Sequence, residues 1–131
     1  MNDTKPAAQE TTGNHVEVFF YRVPKKNRDA IERNLNKFRP WFHKQGVGLE
    51  YHRLGGTNVM EGCEGIAKTL AVAEDEDVWM ETQYYRDRKH AEDTFASMMK
   101  DKELEPLGHE FFGLITQGKS MVTGGFDRFK G

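Results

Sequence analysis

The stretch that decides the fold is HVEVFFYRV, residues 15–23. It is rich in β-branched and aromatic side chains and therefore predicts a β-strand. Alternate residues of a strand point to opposite faces, and a strand covered on one side only alternates between apolar and polar residues. Here both faces are apolar, so something must cover each of them. One face carries Val16, Val18 and Phe20, and the other carries Phe19, Tyr21 and Val23.

The segments that follow alternate between helical and extended patterns. Pro24 ends the strand, Asn27 is a good N-cap, and apolar residues at helical spacing predict a helix that stops at Gly46. A second helix is expected after Asp87, and a short one within residues 101–118. A hairpin is expected around the acidic residues 74–77. Further strands are predicted at Val47–Leu54, Ile66–Ala73, Val78–Arg86 and Ser120–Phe129.

The order of these elements is β-α-β-(β)-β-α-β, which predicts an α+β protein with a ferredoxin-like fold. In that fold an antiparallel sheet carries its helices on one face. The helices cover one apolar face of the first strand but not the other. A second copy of the same sheet is the simplest cover for the other face, which predicts a homodimer that pairs as a dimeric α/β barrel.

Composition excludes several classes of protein. The chain has 131 residues, a net charge of −2 and a single cysteine, Cys63. Its length suits one domain, expected at residues 15–131 after a disordered tail at residues 1–14. One cysteine excludes an intrachain disulfide, and no apolar run approaches the ~20 residues of a transmembrane helix. The charge balance gives no sign of a nucleic-acid partner. We therefore expect a cytoplasmic protein without membrane contact, metal or other cofactor.

Three blocks of the sequence resemble the YbaA-like proteins, a family of small proteins of unassigned function. The blocks are YRVPKKNRDAIERNLNKFRPWFHKQG, VWMETQYYRDRKHAEDTFASMMKD and SMVTGGFDRF. The resemblance implies membership of the dimeric α/β-barrel superfamily, which includes cofactor-independent monooxygenases of the antibiotic-biosynthesis type. It implies no catalytic residues, because the family has no agreed activity. Residues 103–118 depart from the family pattern, and a pocket closed by them would prefer a different ligand.

Five residues are candidates for contact with a ligand. Glu50 and His52 share one face of a strand, where the carboxylate can orient a histidine that acts as a base. Tyr21 and Tyr84 lie in strands, and their phenols suit an aromatic or quinone-like ligand. Trp41 lies off the apolar stripe of its helix and is a candidate cover for a pocket mouth. Ordinary packing is the alternative for each of the five.

Other motifs carry weaker signals. His109-Glu110 begins like a zinc-protease motif but lacks the second histidine. Cys63 lies among acidic residues, where a reactive thiol is not expected. Gly124-Gly125 within the last strand predicts a bulge or a close backbone approach. Basic residues cluster at the helix starts, where solvated charge is expected and an anion site is the alternative: Lys25, Lys26, Arg28, Arg86, Arg88 and Lys89.

Three hypotheses of function follow. The first is a dimeric small-molecule-binding or accessory protein without robust catalysis. The second is a cofactor-independent monooxygenase or isomerase that acts on a polycyclic or phenolic compound. The third is a structural dimer or protein-interaction module, which the absence of strong motifs supports.

Overall fold

The computed structural model describes residues 13–56 and 58–129. Residues 1–12 of the predicted disordered tail lie outside the described residues. Asn14, the residue before β1, is hydrogen-bonded beside the sheet: its N–H donates to the Arg86 carbonyl (3.2 Å), and its own carbonyl accepts from the Arg128 N–H (2.8 Å). The strands are β1 (His15–Pro24), β2 (Gly48–Arg53), β3 (Glu76–Tyr85) and β4 (Met121–Asp127). The helices are α1 (Arg28–Lys44), α2 (Ile66–Thr69), α3 (Arg88–Lys100) and α4 (Glu105–Leu114).

The four strands form one antiparallel sheet in the order β2-β3-β1-β4. The central strand β1 pairs with β3 and β4, and Tyr21 stands opposite Trp79 on one side and Met121 on the other. The helices lie on one face of this sheet. The predicted α+β, ferredoxin-like fold is therefore confirmed.

Strand alternation divides the sheet into two faces of different character. The odd-numbered residues of all four strands form the helix face, which contributes Tyr21, Val23, Trp79 and Tyr85 to the buried core. The even-numbered residues form the open face. None of the described open-face residues belongs to either core cluster, although half of them are hydrophobic. They include Val16, Val18, Phe20, Met80, Val122 and Phe126.

The predicted strand at Ile66–Ala73 is wrong. Residues Ile66–Thr69 form the short helix α2, and the Leu70 N–H donates to the Ile66 carbonyl (2.9 Å). The predicted hairpin around residues 74–77 is wrong for the same reason, since β3 begins at Glu76 and pairs with β2 instead. Alanine and lysine favour a helical turn. In addition, both edges of β3 are already paired, one with β2 and the other with β1.

The predicted helix boundaries have mixed outcomes. Gly46 ends α1 in the left-handed region, with φ of 73°, and the Asp87 carboxylate caps α3 by accepting from the His90 N–H (2.8 Å); both predictions are confirmed. Asn27 precedes α1, but its side chain does not cap the helix. The Asn27 amide donates instead to the Leu114 carbonyl (2.9 Å), which ties the start of α1 to the end of α4. The predicted short helix within residues 101–118 is confirmed as α4.

Candidate functional site

A buried carboxylate, Glu81, lies in the middle of the helix face. Alternation along β3 places Trp79, Glu81, Gln83 and Tyr85 in one row beneath the helices. The Tyr21 hydroxyl donates to Glu81 Oε1 (3.0 Å), and Gln83 Nε2 donates to Glu81 Oε2 (2.7 Å). The Tyr85 hydroxyl donates to Gln83 Oε1 (2.6 Å), which completes a chain of hydrogen bonds. We call these four hydrogen-bonded residues, Tyr21, Glu81, Gln83 and Tyr85, the Glu81 chain.

The electrostatics of the Glu81 chain are those of a charge held without a cation. Burial raises the pKa of Glu81, and the hydrogen bonds from Gln83 and Tyr21 only partly oppose that shift. Both donors are neutral. Burial also raises the phenol pKa of Tyr21, and the nearby Glu81 charge adds to the effect. Tyr21 therefore stays a proton donor, whereas Glu81 is the member of the chain that can exchange a proton.

A second titratable group, His15, lies at the start of β1 on the same face. His15 Nε2 lies 2.5 Å from Glu17 Oε2, and His15 Nδ1 lies 2.8 Å from Asp127 Oδ1. Arg88 of α3 donates to the other oxygen of Asp127. Burial lowers the pKa of His15, but the two carboxylates together outweigh it, so the pKa is raised from its ordinary value of 6.5. The hydrogen bond from His15 lowers the pKa of Asp127.

The helix face is open to solvent above β4. Thr123 and Gly125 point to this face and are exposed, whereas Glu17 and Phe19 of the adjacent strand are half-buried. Gly125 leaves no room for a side chain of its own, because the Glu17 carboxylate occupies that place. A Cβ at Gly125 would lie 2.5 Å from Glu17 Oε2 and 3.2 Å from His15 Cε1. The predicted bulge or close backbone approach at the Gly124-Gly125 pair is not found: the register of β4 with β1 is continuous through both glycines, and the close neighbour of Gly125 is the Glu17 side chain.

Alanine substitution of the two adjacent glycines is expected to have opposite effects. Gly125→Ala forces Glu17 and His15 to move apart and should cost about 1–3 kcal/mol of unfolding free energy. At Gly124 a Cβ meets only the Phe126 ring, at 3.5 Å. Gly124→Ala should therefore be neutral or gain about 0.4–1 kcal/mol by restricting the unfolded chain. Chemical denaturation at matched protein concentration measures both values, and equal losses would contradict the close approach.

The structure separates the five predicted ligand-contact residues. Tyr21 belongs to the Glu81 chain on the helix face. Glu50, His52 and Tyr84 share the open face, where the Tyr84 hydroxyl donates to Glu50 Oε1 (2.8 Å). That hydrogen bond raises the pKa of Tyr84. Trp41 lies on α1 and donates from its indole nitrogen to Asp101 Oδ2 (2.9 Å), away from both groups.

The prediction missed Glu81, His15, Glu17 and Asp127. A signal for Glu81 exists in the sequence VWMETQYYR, because two polar residues, Glu81 and Gln83, interrupt the apolar face of an otherwise buried strand. Such a pattern indicates a polar group that the helices must cover. The contact of His15 with Asp127 joins residues at opposite ends of the chain, and no local pattern indicates it.

Two surface clefts are also present. The larger, of about 680 Å³, is formed by the loop around α2 and includes Leu54, Met60 and the exposed Cys63. The smaller, of about 170 Å³, lies at the end of the sheet between Tyr84 and Phe126. Both open directly to solvent.

Three of the six basic residues at the helix starts, Arg28, Arg88 and Lys89, pair with carboxylates. Arg28 makes two hydrogen bonds to Asp77, of 2.9 and 2.8 Å, and Lys89 pairs with Asp93. These pairs favour the interpretation that the basic residues are surface charges rather than an anion site. Among residues 13–56 and 58–129, no three His, Cys, Asp or Glu side chains come together as metal ligands would. Within the same ranges, no helix has the length and apolar character that crossing a bilayer requires.

Comparison with known proteins identifies the family and the fold. No curated protein matches the chain. Among solved structures, a mutant of SnoaB, described as a cofactor-independent oxygenase from Streptomyces nogalater, is similar with a TM-score of 0.52. Its sequence identity is 12%, and the match covers 91% of this chain and 97% of that one, so the likeness concerns the fold alone. The model of DUF1428, a protein family of unknown function, matches residues 14–112. The chain therefore belongs to the DUF1428 family.

Proposed function

We propose that this protein is a homodimer that binds a small aromatic molecule at the Glu81 chain. The observation that carries the proposal is the burial of the Glu81 carboxylate between neutral donors. Burying a charge without a cation costs stability, and such groups are concentrated at functional sites. In this proposal the protein is cytoplasmic and, within DUF1428, YbaA-like, as the blocks quoted from its sequence suggest.

The open face supports the homodimer. Its centre is formed by Val18, Phe20 and Met80, and its β4 side by Val122 and Phe126, which are 50% and 59% exposed. A two-fold axis brings the same patch of both subunits together, so each apolar residue of the patch is buried in both copies. Burial of several hundred Å² per subunit, at ~25 cal/mol per Å², favours association by several kcal/mol before its entropic cost. Glu50, His52 and Tyr84 then line the space between the subunits.

The surroundings of Glu81 support an aromatic ligand that donates a hydrogen bond. Phe19 and Tyr51 flank Glu81 on the neighbouring strands, and the Phe111 ring of α4 stands edge-on to Tyr21 at 5.1 Å between centroids. In the register of the sheet, Phe19 lies between Glu81 and the exposed Thr123 of β4. A phenol offers a flat ring to these side chains and an O–H to the carboxylate. Helix α4, within residues 103–118, then covers the site.

Replacement of Glu81 by glutamine is expected to stabilise the free protein and weaken ligand binding. Glutamine removes the buried charge, so the unfolding free energy at pH 7 should rise by about 1–3 kcal/mol. Binding of a bicyclic phenol such as 2-naphthol, followed by thermal shift and calorimetry, should weaken at least ~10-fold, because a hydrogen bond to a charged group is lost. Because the folded state raises the pKa of Glu81, the wild type gains stability as pH falls through that pKa, and Glu81→Gln does not.

Glu50→Gln is the matched control for this variant. Glu50 is also a carboxylate that accepts from a tyrosine hydroxyl, but it is exposed and lies on the open face. We expect the control to leave both the binding of 2-naphthol and the pH profile of stability unchanged. Equal binding by the Glu81→Gln variant and the wild type would contradict a ligand site at Glu81. Native mass spectrometry of gently purified, untagged protein provides an independent search for a bound molecule.

A cofactor-independent oxygenase is the second candidate. It is favoured by Glu81, a buried carboxylate that can accept a proton, in a fold shared with a protein described as such an oxygenase. In this reaction Glu81 takes a proton from the CH₂ group of a polycyclic phenolic ketone, and the carbanion reacts with dioxygen. The group is oxidised to a carbonyl and dioxygen is reduced to water, so that CH₂ + O₂ gives C=O + H₂O. Oxygen uptake by the wild type that is lost in Glu81→Gln supports this candidate. If the wild type takes up no oxygen, the ligand-binding protein is the better candidate.

A further inference from the structure

His15 is the most constrained titratable group outside the Glu81 chain. It is buried, and each ring nitrogen faces a carboxylate oxygen, Glu17 at 2.5 Å and Asp127 at 2.8 Å. A neutral imidazole carries one N–H and donates to one acceptor only, whereas the imidazolium donates to both. The geometry therefore requires the protonated ring for both hydrogen bonds to exist at once.

His90, on the first turn of α3, provides a contrast within the same region. The Arg86 N–H donates to His90 Nδ1 (3.1 Å), and His90 Nε2 lies 2.7 Å from the Gln45 carbonyl oxygen. One nitrogen accepts and the other donates, so this arrangement is satisfied by the neutral ring. Both histidines stand against the Tyr85 ring, but His15, unlike His90, has an acceptor oxygen at each ring nitrogen.

The partners of His15 join the two ends of the chain. Glu17 belongs to β1, and Asp127 is the last residue of β4, which among the described strands is an edge strand beside β1. The charged and titratable groups that face this cluster come from three directions: Glu17 on β1, Tyr85 on β3, and Asp127 with Arg88 above it. Gly125 leaves the room that brings Glu17 and His15 against β4.

We propose that His15 is a pH-operated latch that holds the end of β4 on the sheet and closes off Glu17. In the protonated state the ring is bonded to both carboxylates. When the ring loses its proton, one carboxylate loses its donor, the end of β4 loosens, and Glu17 is free to face the open part of the helix face. The raised pKa of His15 places this change on the alkaline side of 6.5. The latch does not depend on the identity of a ligand.

Hydrogen exchange followed by NMR tests the latch directly in the full-length protein. Protection factors of the β4 amides, divided by those of the β1–β3 pairs, should fall at least ~10-fold as the pH rises through the His15 titration. The His15 ring protons should report a pKa above 6.5. In His15→Gln, which cannot gain or lose a proton, the ratio should not change with pH.

Asp127→Asn serves as the second variant, because Asp127 is half-exposed and its replacement should leave the fold intact. It keeps the size of the side chain but removes the charge that favours the imidazolium. We expect it to lower the pKa of His15 and to shift the loosening of β4 to lower pH by the same interval. A His15 pKa at or below 6.5 in the wild type, or β4 exchange with the same pH dependence in all three proteins, would overturn the proposal.

Discussion

Replacing Phe20 by glutamate is expected to convert the proposed homodimer to a monomer. Phe20 lies at the centre of the open face, between Met80 on β3 and Val122 on β4. Burial of a phenylalanine is worth about 1.5–3 kcal/mol, and two-fold symmetry counts the loss twice. The substitution also places a charge in the interface, where association must strip the carboxylate of its water at a cost in free energy. Together these effects should raise the dimer dissociation constant roughly 100-fold or more.

Light scattering coupled to gel filtration, over a range of protein concentrations, measures this effect. Met99→Glu is the matched control, because Met99 is an apolar side chain on α3 that is 85% exposed and lies on the other side of the molecule. The control should keep the mass of the wild type. If the wild type itself runs as a monomer, the second copy is not the cover of the open face. Circular dichroism on both variants checks that their helices and strands are intact.

Replacing Tyr21 by alanine is expected to cause the largest loss of stability. Tyr21 is fully buried and packs edge-on against Phe111, and its hydroxyl donates to Glu81. Removing the ring leaves a cavity between the sheet and α4, which costs about 3–5 kcal/mol in buried aromatic residues. The loss of the hydroxyl adds to this cost, because Glu81 retains only Gln83 as a donor.

Tyr21→Phe separates the two contributions. This variant keeps the ring and removes only the hydroxyl, so it should cost about 1–3 kcal/mol. It should also raise the pKa of Glu81 further, since one of the two hydrogen bonds that favour the carboxylate is gone. Urea denaturation at pH 5 and pH 8 measures both effects, and the cost of Tyr21→Phe should be smaller at pH 5. Equal costs for alanine and phenylalanine would mean that packing of the ring contributes little.

The fold was predictable because its central strand carries a strong local signal. Residues 15–23 are apolar on both faces, and the structure makes this strand the centre of the sheet, with helices on one side of it. The strand predicted at Ile66–Ala73 was wrong because a short run of alanines and β-branched residues fits a helical turn equally well. Whether this segment becomes a strand depends on a free edge of β3, and β2 pairs with that edge.

The candidate site was predictable only in part, because its chemistry depends on contacts between distant segments. Tyr21 was identified from its place in a strand. Glu81 is 60 residues away from it along the chain, and the pattern of β3 indicates a covered polar group without indicating its partner. The His15–Asp127 contact spans 112 residues. Residue type and local spacing carry no information about such pairs, which depend on strand order and register.

The pairing of β1 with β4 has a consequence for how the protein is made. The partner on one side of the central strand is β4, which follows every other element within residues 13–56 and 58–129 and therefore leaves the ribosome after them. Until then, the backbone donors and acceptors along that side of β1 have no strand to pair with. Long-range strand pairing of this kind is slow, and an unpaired apolar edge invites association with other nascent chains. Completion of the sheet, and with it protection from aggregation, therefore waits until β4 has been synthesised.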